Sequence, residues 1–263
     1  MDLKLKDKIA LVTGASRGLG YATAHTLAAE GAKIALNSRD PQKLNKAAQQ
    51  IALKTGADVY PLPGDVSHPN IPAQIIQQTV SHYGGLDILI ANAGGPPTGP
   101  FETFDDDTWQ KAVELCFLSQ VRLIRAALPF LRKSSSAAVL TVTSIAVKQP
   151  VPNLILSNSI RSATAGLTKS LALELGHEGI RFNSILPGWT ETERVIDLMQ
   201  YRAKTNNTTV EEEIKKQAQD SPFKRLAQPQ EFANVAAFLV SPAASYITGI
   251  MLSVDGGMYK GMF

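Results

Sequence analysis

A glycine-rich turn between an apolar run and a helical pattern constrains the fold of this chain most strongly. Residues 9–12 are apolar and typical of a buried strand, and residues 21–29 carry the apolar spacing of a helix. The turn reads Gly-Ala-Ser-Arg-Gly-Leu-Gly at residues 14–20. Glycines let the backbone approach a pyrophosphate, and the start of a helix offers unpaired N–H groups at the positive end of its dipole. The spacing differs from the general Gly-x-Gly-x-x-Gly fingerprint, so the prediction of a phosphate site depends on its context.

The alternation of strand and helix patterns along the chain predicts the fold class. Apolar runs typical of strands lie at residues 9–12, 33–36, 59–62, 86–91, 138–142, 182–186 and 251–254, with helical patterns between them. Such alternation predicts parallel strands joined by right-handed crossovers. We therefore predict one α/β domain over residues 1–263, with a doubly wound parallel sheet of about seven strands and helices on both faces. Ligands of such sheets bind outside the carboxyl ends of the strands.

Composition and charge narrow the function classes. With 263 residues, of which 44% are apolar, the chain can bury a large core. A net charge of +3, without a basic run that contains aromatics, argues against nucleic acid, and no apolar run approaches the ~18 residues of a membrane span. The single cysteine, Cys116, excludes an intrachain disulfide, and the four histidines show no metal-ligand spacing. We expect a cytoplasmic protein that binds no metal, nucleic acid or membrane.

Residues after the second and third strands indicate which dinucleotide would bind. A site selective for NAD usually carries an acidic residue about 20 positions beyond the glycines, whereas here Ser38 is followed by Arg39, with Arg17 inside the turn. A hydroxyl and two guanidiniums suit a 2′-phosphate, which predicts NADP(H) in preference to NAD(H). The alternative is that Arg39 is a solvated turn residue and Arg17 a helix-end residue. Asp65 is expected to accept a hydrogen bond from adenine, to cap the helix near residues 69–83, or to do both.

Four motifs give the chain a resemblance to a known family. They are Thr-Gly-Ala-Ser-Arg-Gly-Leu-Gly at residues 13–20, Asn-Ala-Gly at 92–94, Pro-Gly at 187–188 and Val-Asp-Gly-Gly at 254–257. Together they resemble the short-chain dehydrogenase/reductase family, in the branch that contains 3-oxoacyl-carrier-protein reductases and sugar or steroid dehydrogenases. The resemblance implies a single Rossmann-type domain, a nicotinamide cofactor and a homotetramer or homodimer that acts on a small-molecule substrate.

The resemblance also implies the cofactor contacts. In this family the Asn-Ala-Gly turn supports the central sheet and the cofactor, which carries that role to Asn92 and Gly94. The segment after Pro187 meets the nicotinamide carboxamide, with a hydroxyl from Thr190 or Thr192. The predicted cofactor site comprises Gly14, Ser16, Arg17, Gly18, Leu19, Gly20, Ser38, Arg39, Asp65, Val66, Asn92, Gly94, Arg161, Pro187, Gly188, Thr190 and Thr192.

At the catalytic positions the chain departs from the family pattern. Family members use a Ser after the fifth strand, a Tyr thirteen residues later, a Lys four beyond it and usually an Asn on the preceding helix. Here Ser144 fits the first role, but Ser157 and Arg161 stand at the Tyr and Lys positions, and Cys116 stands at the Asn position. A phenol has a pKa of about 10 that a nearby cation lowers, whereas a serine hydroxyl is a far weaker acid. An arginine stays charged and relays no proton. We interpret Cys116 as a small core residue rather than a reactive thiol.

Three functions are compatible with this altered site. The first is a working NADP(H) oxidoreductase in which Ser144, Ser157 and Arg161 orient a carbonyl while a bound water or another residue supplies the proton. Lys148 is the nearest candidate donor, and Tyr201 is a weaker one. The alternative is that Lys148 is a solvated loop residue and that Tyr201 is a packing aromatic. The second is a silent cofactor-binding sensor or assembly partner. The third is elimination or isomerisation on the same scaffold. The predicted catalytic set is therefore Ser144, Ser157, Arg161 and Lys148.

Residues 189–223 resemble the segment in which this family places a substrate lid. The pattern is polar and helical, is interrupted at residues 205–209 and resumes over 210–219. Four side chains are candidates either for the pocket lining or for inward packing without a ligand: Trp189, Ile196, Met199 and Tyr201. Small and apolar residues at 94–97 and in the lid indicate an uncharged or partly apolar substrate.

Overall fold

Seven parallel strands form the centre of the structure, a computed structural model that describes residues 2–262. The strands are β1 (Ile9–Val12), β2 (Lys33–Ser38), β3 (Val59–Pro63), β4 (Ile88–Ala91), β5 (Ala138–Val142), β6 (Arg181–Pro187) and β7 (Met251–Val254). Their order across the sheet is β3-β2-β1-β4-β5-β6-β7, and every neighbouring pair is parallel. The order reverses between β1 and β4, and ligands bind beside such a reversal in open parallel sheets. The predicted fold class is confirmed.

Helices cover both faces of the sheet. Those described are α1 (Gly18–Ala29), α2 (Pro41–Thr55), α3 (Ile71–Tyr83), α4 (Asp106–Val113), α5 (Ser119–Leu131), α6 (Ile155–Leu175), α7 (Glu193–Asn206), α8 (Val210–Ala218) and α9 (Pro229–Val240). Side chains of α1, α2 and α9 build one core, and those of α3, α5 and α6 build the other. Neighbouring residues Leu11 and Val12 of β1 belong to opposite cores, because successive side chains of a strand point to opposite faces. Both faces of the five inner strands are buried along most of their length, which explains the continuous apolar runs of these strands.

The element ends differ from the predicted ones by a few residues at most. Strand β2 continues to Ser38 because its backbone pairs with β3 as far as Pro63. Strand β3 contains two prolines, Pro61 and Pro63, which cannot donate to a ladder. It tolerates them because it is the edge strand, paired on one side alone.

Residues 189–223, the predicted lid, contain two helices with the predicted interruption between them. Helix α7 ends at Asn206, and Asn207 adopts a left-handed conformation with φ of +54°. Helix α8 then begins behind Thr209, whose side chain accepts a hydrogen bond from the backbone N–H of Glu212 while the Glu212 side chain accepts one from the backbone of Thr209. This capping box fixes the start of α8 and confirms the position of the break.

The described residues contain neither a membrane-spanning helix nor a cluster of metal-ligand side chains. Over residues 2–262, no helix is both long and apolar enough to cross a membrane. The same residues contain no group of three or more His, Cys, Asp or Glu side chains placed to hold a metal ion. The single cysteine is a buried free thiol.

Candidate active site

The glycine turn is built around close backbone contacts with the strand beside it. Gly14 and Gly18 adopt left-handed conformations, with φ of +59° and +60°. Asn92, directly after β4, donates from its side-chain amide to the carbonyl oxygens of Thr13 and Gly14 at 3.2 Å each, and Thr13 donates its hydroxyl to the Asn92 carbonyl at 2.6 Å. A Cβ at Gly20 would overlap the Gly14 carbonyl oxygen and lie 2.9 Å from Ala15 Cα. The turn therefore has room for glycine alone at position 20.

A cleft of about 640 Å³ lies over the carboxyl ends of the strands. All of the residues predicted for the cofactor line it, as do three of the four predicted catalytic residues, Ser144, Ser157 and Arg161. A cavity of this size suits a dinucleotide together with a small substrate, because ligand pockets usually measure about 300–1,000 Å³. The structure thus brings the predicted cofactor set together at one site.

At the β2 and β3 end of the cleft, the residues carry hydroxyl and guanidinium donors. The Ser38 hydroxyl donates to the Ser16 hydroxyl at 2.9 Å, and an exposed Arg39 guanidinium lies 3.7 Å from the Asp65 carboxylate. Burial acts to raise the pKa of Asp65, but hydrogen bonds from Ser67 and the charge of Arg39 lower it overall. Asp65 accepts from the backbone of Ser67 and does not cap α3, so the helix-cap alternative is wrong.

Arg17 points to a different partner from Arg39. Its guanidinium donates to the Glu193 carboxylate at 2.7 Å, which joins the glycine turn to the first residue of α7. The pair is largely exposed, so its contribution to stability is small. Of the two arginines predicted for the 2′-phosphate, Arg17 is therefore paired with Glu193, whereas Arg39 lies beside Asp65 and directly after Ser38.

At the β6 end of the cleft lies a buried hydroxyl without a partner. Thr190 is 3% exposed, and its Oγ1 atom has no hydrogen-bond partner among residues 2–262. Leaving such a group unpaired costs about 1–3 kcal/mol, so a ligand that pairs with it would be stabilised by the site. The side chain of Thr192 lies opposite Gly18, within 3.7 Å of where a Cβ would stand. A carboxamide with one donor and one acceptor group suits these hydroxyls, so the residues fit a nicotinamide dinucleotide.

Hydrogen bonds or burial hold the three predicted catalytic side chains that line the cleft. Ser144 follows β5, and its Oγ accepts from the backbone N–H of Ala146 at 3.1 Å. Ser157 and Arg161 lie one turn apart on α6, and both are buried. The Arg161 guanidinium donates to the Val142 carbonyl at 2.9 Å and to the Gly94 carbonyl at 3.4 Å. These bonds hold a permanent positive charge between β4, β5 and α6.

Comparison with known proteins decides the family. Residues 14–259 match the family model described as "Enoyl-(Acyl carrier protein) reductase". The chain is 33% identical over 254 residues to Dehydrogenase/reductase SDR family member 4 of Bos taurus, an alignment that covers 96% of this chain and 88% of that protein. The chain belongs to the short-chain dehydrogenase/reductase family. It is therefore an oxidoreductase of that family, as the resemblance implies.

Other relatives among the short-chain dehydrogenases/reductases differ in cofactor and substrate. The chain is 32% identical to 7alpha-hydroxysteroid dehydrogenase of Escherichia coli (strain K12), over 97% of this chain and 96% of that protein. Among solved structures, L-sorbose reductase of Gluconobacter frateurii, complexed with NADPH and L-sorbose, has a TM-score of 0.96 and 34% identity over 100% of both chains. A 7 alpha-hydroxysteroid dehydrogenase complexed with NADH has a TM-score of 0.88 and 29% identity, over 100% of this chain and 98% of that one.

The two candidate proton donors do not reach the cleft of this short-chain dehydrogenase/reductase. Neither Lys148 nor Tyr201 is among the residues that line it. The Lys148 ammonium lies 5.2 Å from the centre of the Tyr259 ring, and Tyr201 is 68% exposed on α7. Cation–π attraction to Tyr259 explains the position of Lys148.

Of the four lid side chains predicted for the pocket, only Trp189 lines the cleft. Met199 is completely buried, while Tyr201, two positions later, faces outward. A separation of two residues turns a helical side chain by about 200°, so both cannot face one pocket. Ile196, Met199 and Tyr201 therefore do not line the pocket, and the buried Met199 fits the alternative of inward packing.

Cys116 lies in a π-helical turn, Glu114–Leu118, that joins α4 to α5. It packs with apolar side chains of α4 and α6, and its Sγ is 3.7 Å from the Gly94 carbonyl oxygen. Burial raises the pKa of the Cys116 thiol, although the charges of Arg161 and Arg194 oppose that rise. A buried, protonated thiol is unreactive, which supports its interpretation as a core residue.

Arg194 is among the cleft-lining residues that sequence reasoning missed. It is the second residue of α7 and lines the cleft, where its guanidinium donates to the Pro96 carbonyl at 3.2 Å. The available signal was an arginine two positions after Thr192, at the start of the predicted lid. Burial in the cleft, followed by the charges of Arg161 and Arg17, lowers the pKa of Arg194, but a guanidinium remains protonated at neutral pH.

Proposed function

We propose that this protein is an NADP(H)-dependent oxidoreductase that transfers a hydride between the nicotinamide and a carbonyl or alcohol substrate. The observation that carries the proposal is one continuous cleft containing the glycine turn, the unpaired Thr190 hydroxyl and the buried pair Ser157 and Arg161. The bound cofactor would supply the hydride, and the chain would orient the carbonyl and stabilise the charge that develops on its oxygen.

The substrate-side residues divide these tasks between them. Because Ser144 Oγ accepts from the backbone of Ala146, its own O–H group can donate to a carbonyl oxygen. Arg161 uses two of its five N–H groups on Val142 and Gly94 and places its charge beside that oxygen. Neither it nor the weakly acidic Ser157 hydroxyl supplies a proton readily at neutral pH. With Lys148 outside the cleft, we propose that the alkoxide takes its proton from water.

The lid and the assembly belong to the same proposal. Residues 189–223 would cover the substrate within a single domain of residues 1–263, which we expect to assemble as a homotetramer or homodimer in the cytoplasm. The ion pair between Arg17 and Glu193 and the bond from Arg194 to Pro96 support the lid, because both join α7 to loops on the opposite side of the cleft.

We base the proposed preference for NADP(H) over NAD(H) on Ser38 and Arg39. The position at which an acidic side chain would repel a 2′-phosphate is occupied by Ser38. The guanidinium of the next residue, Arg39, is exposed. The NADPH in the L-sorbose reductase structure supports this choice, whereas the NADH in the hydroxysteroid dehydrogenase structure shows that the family uses both.

We expect Arg39→Ala to weaken NADPH binding by about 10- to 100-fold, because it removes a charge-assisted hydrogen bond of about 1.5–3 kcal/mol to the 2′-phosphate. NADH lacks that phosphate, so its affinity should stay within about two-fold. Fluorescence titration of purified protein with each reduced cofactor measures both values. Lys43→Ala is the matched control, since Lys43, on α2, is an exposed cation that pairs with the Asp40 carboxylate. Equal losses for NADPH and NADH would contradict the assignment of Arg39.

Oxidation of NADPH in the presence of ketones, aldehydes and 3-oxoacyl thioesters tests the proposed activity itself. Substrate-dependent oxidation supports it. Tight NADPH binding without oxidation by any compound would instead support the cofactor-binding sensor.

A further inference from the structure

Two guanidiniums contact the same short loop at the substrate end of the cleft. Arg161, on α6, donates to the Gly94 carbonyl, and Arg194, on α7, donates to the Pro96 carbonyl. Both side chains line the cleft, and Arg161 lies one helical turn from Ser157. Two permanent positive charges therefore converge where the substrate carbonyl is proposed to lie.

Gly95, between the two carbonyls, is the residue that admits Arg194. A Cβ at this position would overlap the guanidinium and stand 2.5 Å from its Cζ atom. The Arg194 guanidinium thus packs directly against the backbone of Gly95. A side chain there would force the Arg194 guanidinium to shift from this position.

Neither guanidinium has a carboxylate partner within the described part of the chain. The acidic residues that line the cleft are Asp65 and Glu193, and these face Arg39 and Arg17. No carboxylate oxygen of residues 2–262 is recorded within 4.0 Å of Arg161 or Arg194. Two like charges that share a cleft repel each other, and an anion bound between them would relieve this repulsion.

The phosphates of the dinucleotide have other partners in the proposed function. The glycine turn at the start of α1 suits the pyrophosphate, and Arg39 suits the 2′-phosphate. Arg194 instead lies against Gly95 and Pro96, on the loop after β4. The anion that it meets is therefore expected to come from the substrate.

We propose that the substrate is an oxo acid, or the matching hydroxy acid, whose carboxylate binds Arg194 while its carbonyl lies between Ser144 and Arg161. This inference rests on the proposed function and names its substrate class. It also replaces the expectation of an uncharged or partly apolar substrate, which is based on the small and apolar residues at 94–97 and in the predicted lid and takes no account of Arg194. A guanidinium suits this role because its parallel N–H groups match the two oxygens of a carboxylate.

In the reduction direction, the carbonyl carbon gains the hydride and the carbonyl oxygen gains a proton from water. The oxo acid becomes a hydroxy acid, and NADPH becomes NADP⁺. The carboxylate takes no part in this exchange, so Arg194 is a specificity-determining residue rather than a source of protons or electrons.

Kinetics with matched acids and esters test the inference. Pyruvate, acetoacetate and levulinate, each compared with its methyl ester, place a carboxylate at increasing distance from the carbonyl. We expect at least one acid to have a higher kcat/KM than its ester. Arg194→Met should lower kcat/KM for that acid by about 10- to 100-fold and should change kcat/KM for the ester by no more than about two-fold. Lys204→Met, which removes an exposed charge from the same helix, should change neither value. An ester reduced as well as its acid, with Arg194→Met affecting both alike, would overturn the inference while leaving the oxidoreductase proposal in place.

A binding measurement decides the case in which no compound is reduced. NADPH-loaded protein is titrated with hexanoate and with hexanamide, and quenching of the bound NADPH fluorescence is followed. Binding of hexanoate that Arg194→Met weakens about ten-fold or more supports a carboxylate site even if the redox proposal fails. Equal binding of both compounds, or an Arg194→Met variant whose defect is in NADPH affinity instead, would overturn it.

Discussion

Replacing Gly20 by alanine is expected to raise the Kd for NADPH by about 10- to 100-fold, because overpacking a tight contact costs about 1–3 kcal/mol. The new Cβ would overlap the Gly14 carbonyl oxygen and approach Ala15 Cα and the Asn92 side-chain amide at 2.9 Å. The first two contacts are backbone atoms, so the glycine turn itself must shift. Isothermal titration of the purified variant with NADPH measures the loss.

Gly166→Ala is the matched control for this effect. Gly166 also lies within a helix, α6, but a Cβ there would meet nothing within 4 Å. Alanine should leave NADPH affinity unchanged and raise the free energy of unfolding by about 0.5–1 kcal/mol, because glycine is the poorer helix former. If Gly20→Ala bound NADPH as tightly as the wild type, the glycine turn would not be the phosphate site.

The second large effect is expected at Arg161. Arg161→Met keeps the aliphatic stem and removes the charge, so kcat should fall by about 100- to 1,000-fold, the usual loss when one stabiliser of a developing oxyanion is removed. Steady-state kinetics with the best substrate separates this loss from any change in KM. Lys169→Met is the control, because Lys169 lies on the same helix but donates to the Gly249 carbonyl.

Arg161→Lys separates a role in the reaction from a role in folding. Both variants lose the paired bonds to Val142 and Gly94, so a structural role would lower stability and kcat in both alike. Lysine restores the positive charge, and we expect it to recover at least about ten-fold in kcat over methionine. A rate that is unchanged in Arg161→Met, or a loss of equal size in Lys148→Met, would contradict the proposed division of roles.

Local patterns were sufficient to predict the fold and to bring the residues of the candidate site to one cleft. Each strand is a short apolar run that ends at a polar or glycine residue, and in a parallel sheet these ends must lie along one edge. That rule places Ser38, Asp65, Asn92 and Ser144 in the same cleft, although they are far apart in the sequence. Neighbours in sequence, such as Ser157 and Arg161, share a helix face for the same local reason.

The residues that escaped prediction depend on contacts between distant parts of the chain. The bond from Arg194 to Pro96 joins residues 98 positions apart, and the pair of Arg17 with Glu193 joins residues 176 apart. Both depend on how α7 lies over the cleft, which a helical pattern does not contain. Lys148 is similar, because its contact with Tyr259 brings together two loops with no shared pattern.

The most direct test of hydride transfer follows the hydrogen that passes from C4 of the nicotinamide to the substrate. The protein is incubated with NADPH carrying deuterium at both hydrogen positions of nicotinamide C4 and with each oxo acid and its ester, and the products are analysed by mass spectrometry. The account predicts a hydroxy acid with one deuterium on the former carbonyl carbon, formed by the wild type and at a rate reduced about 100-fold or more by Arg161→Met. Product without deuterium, or tight NADPH binding with no transfer to any compound, would contradict it.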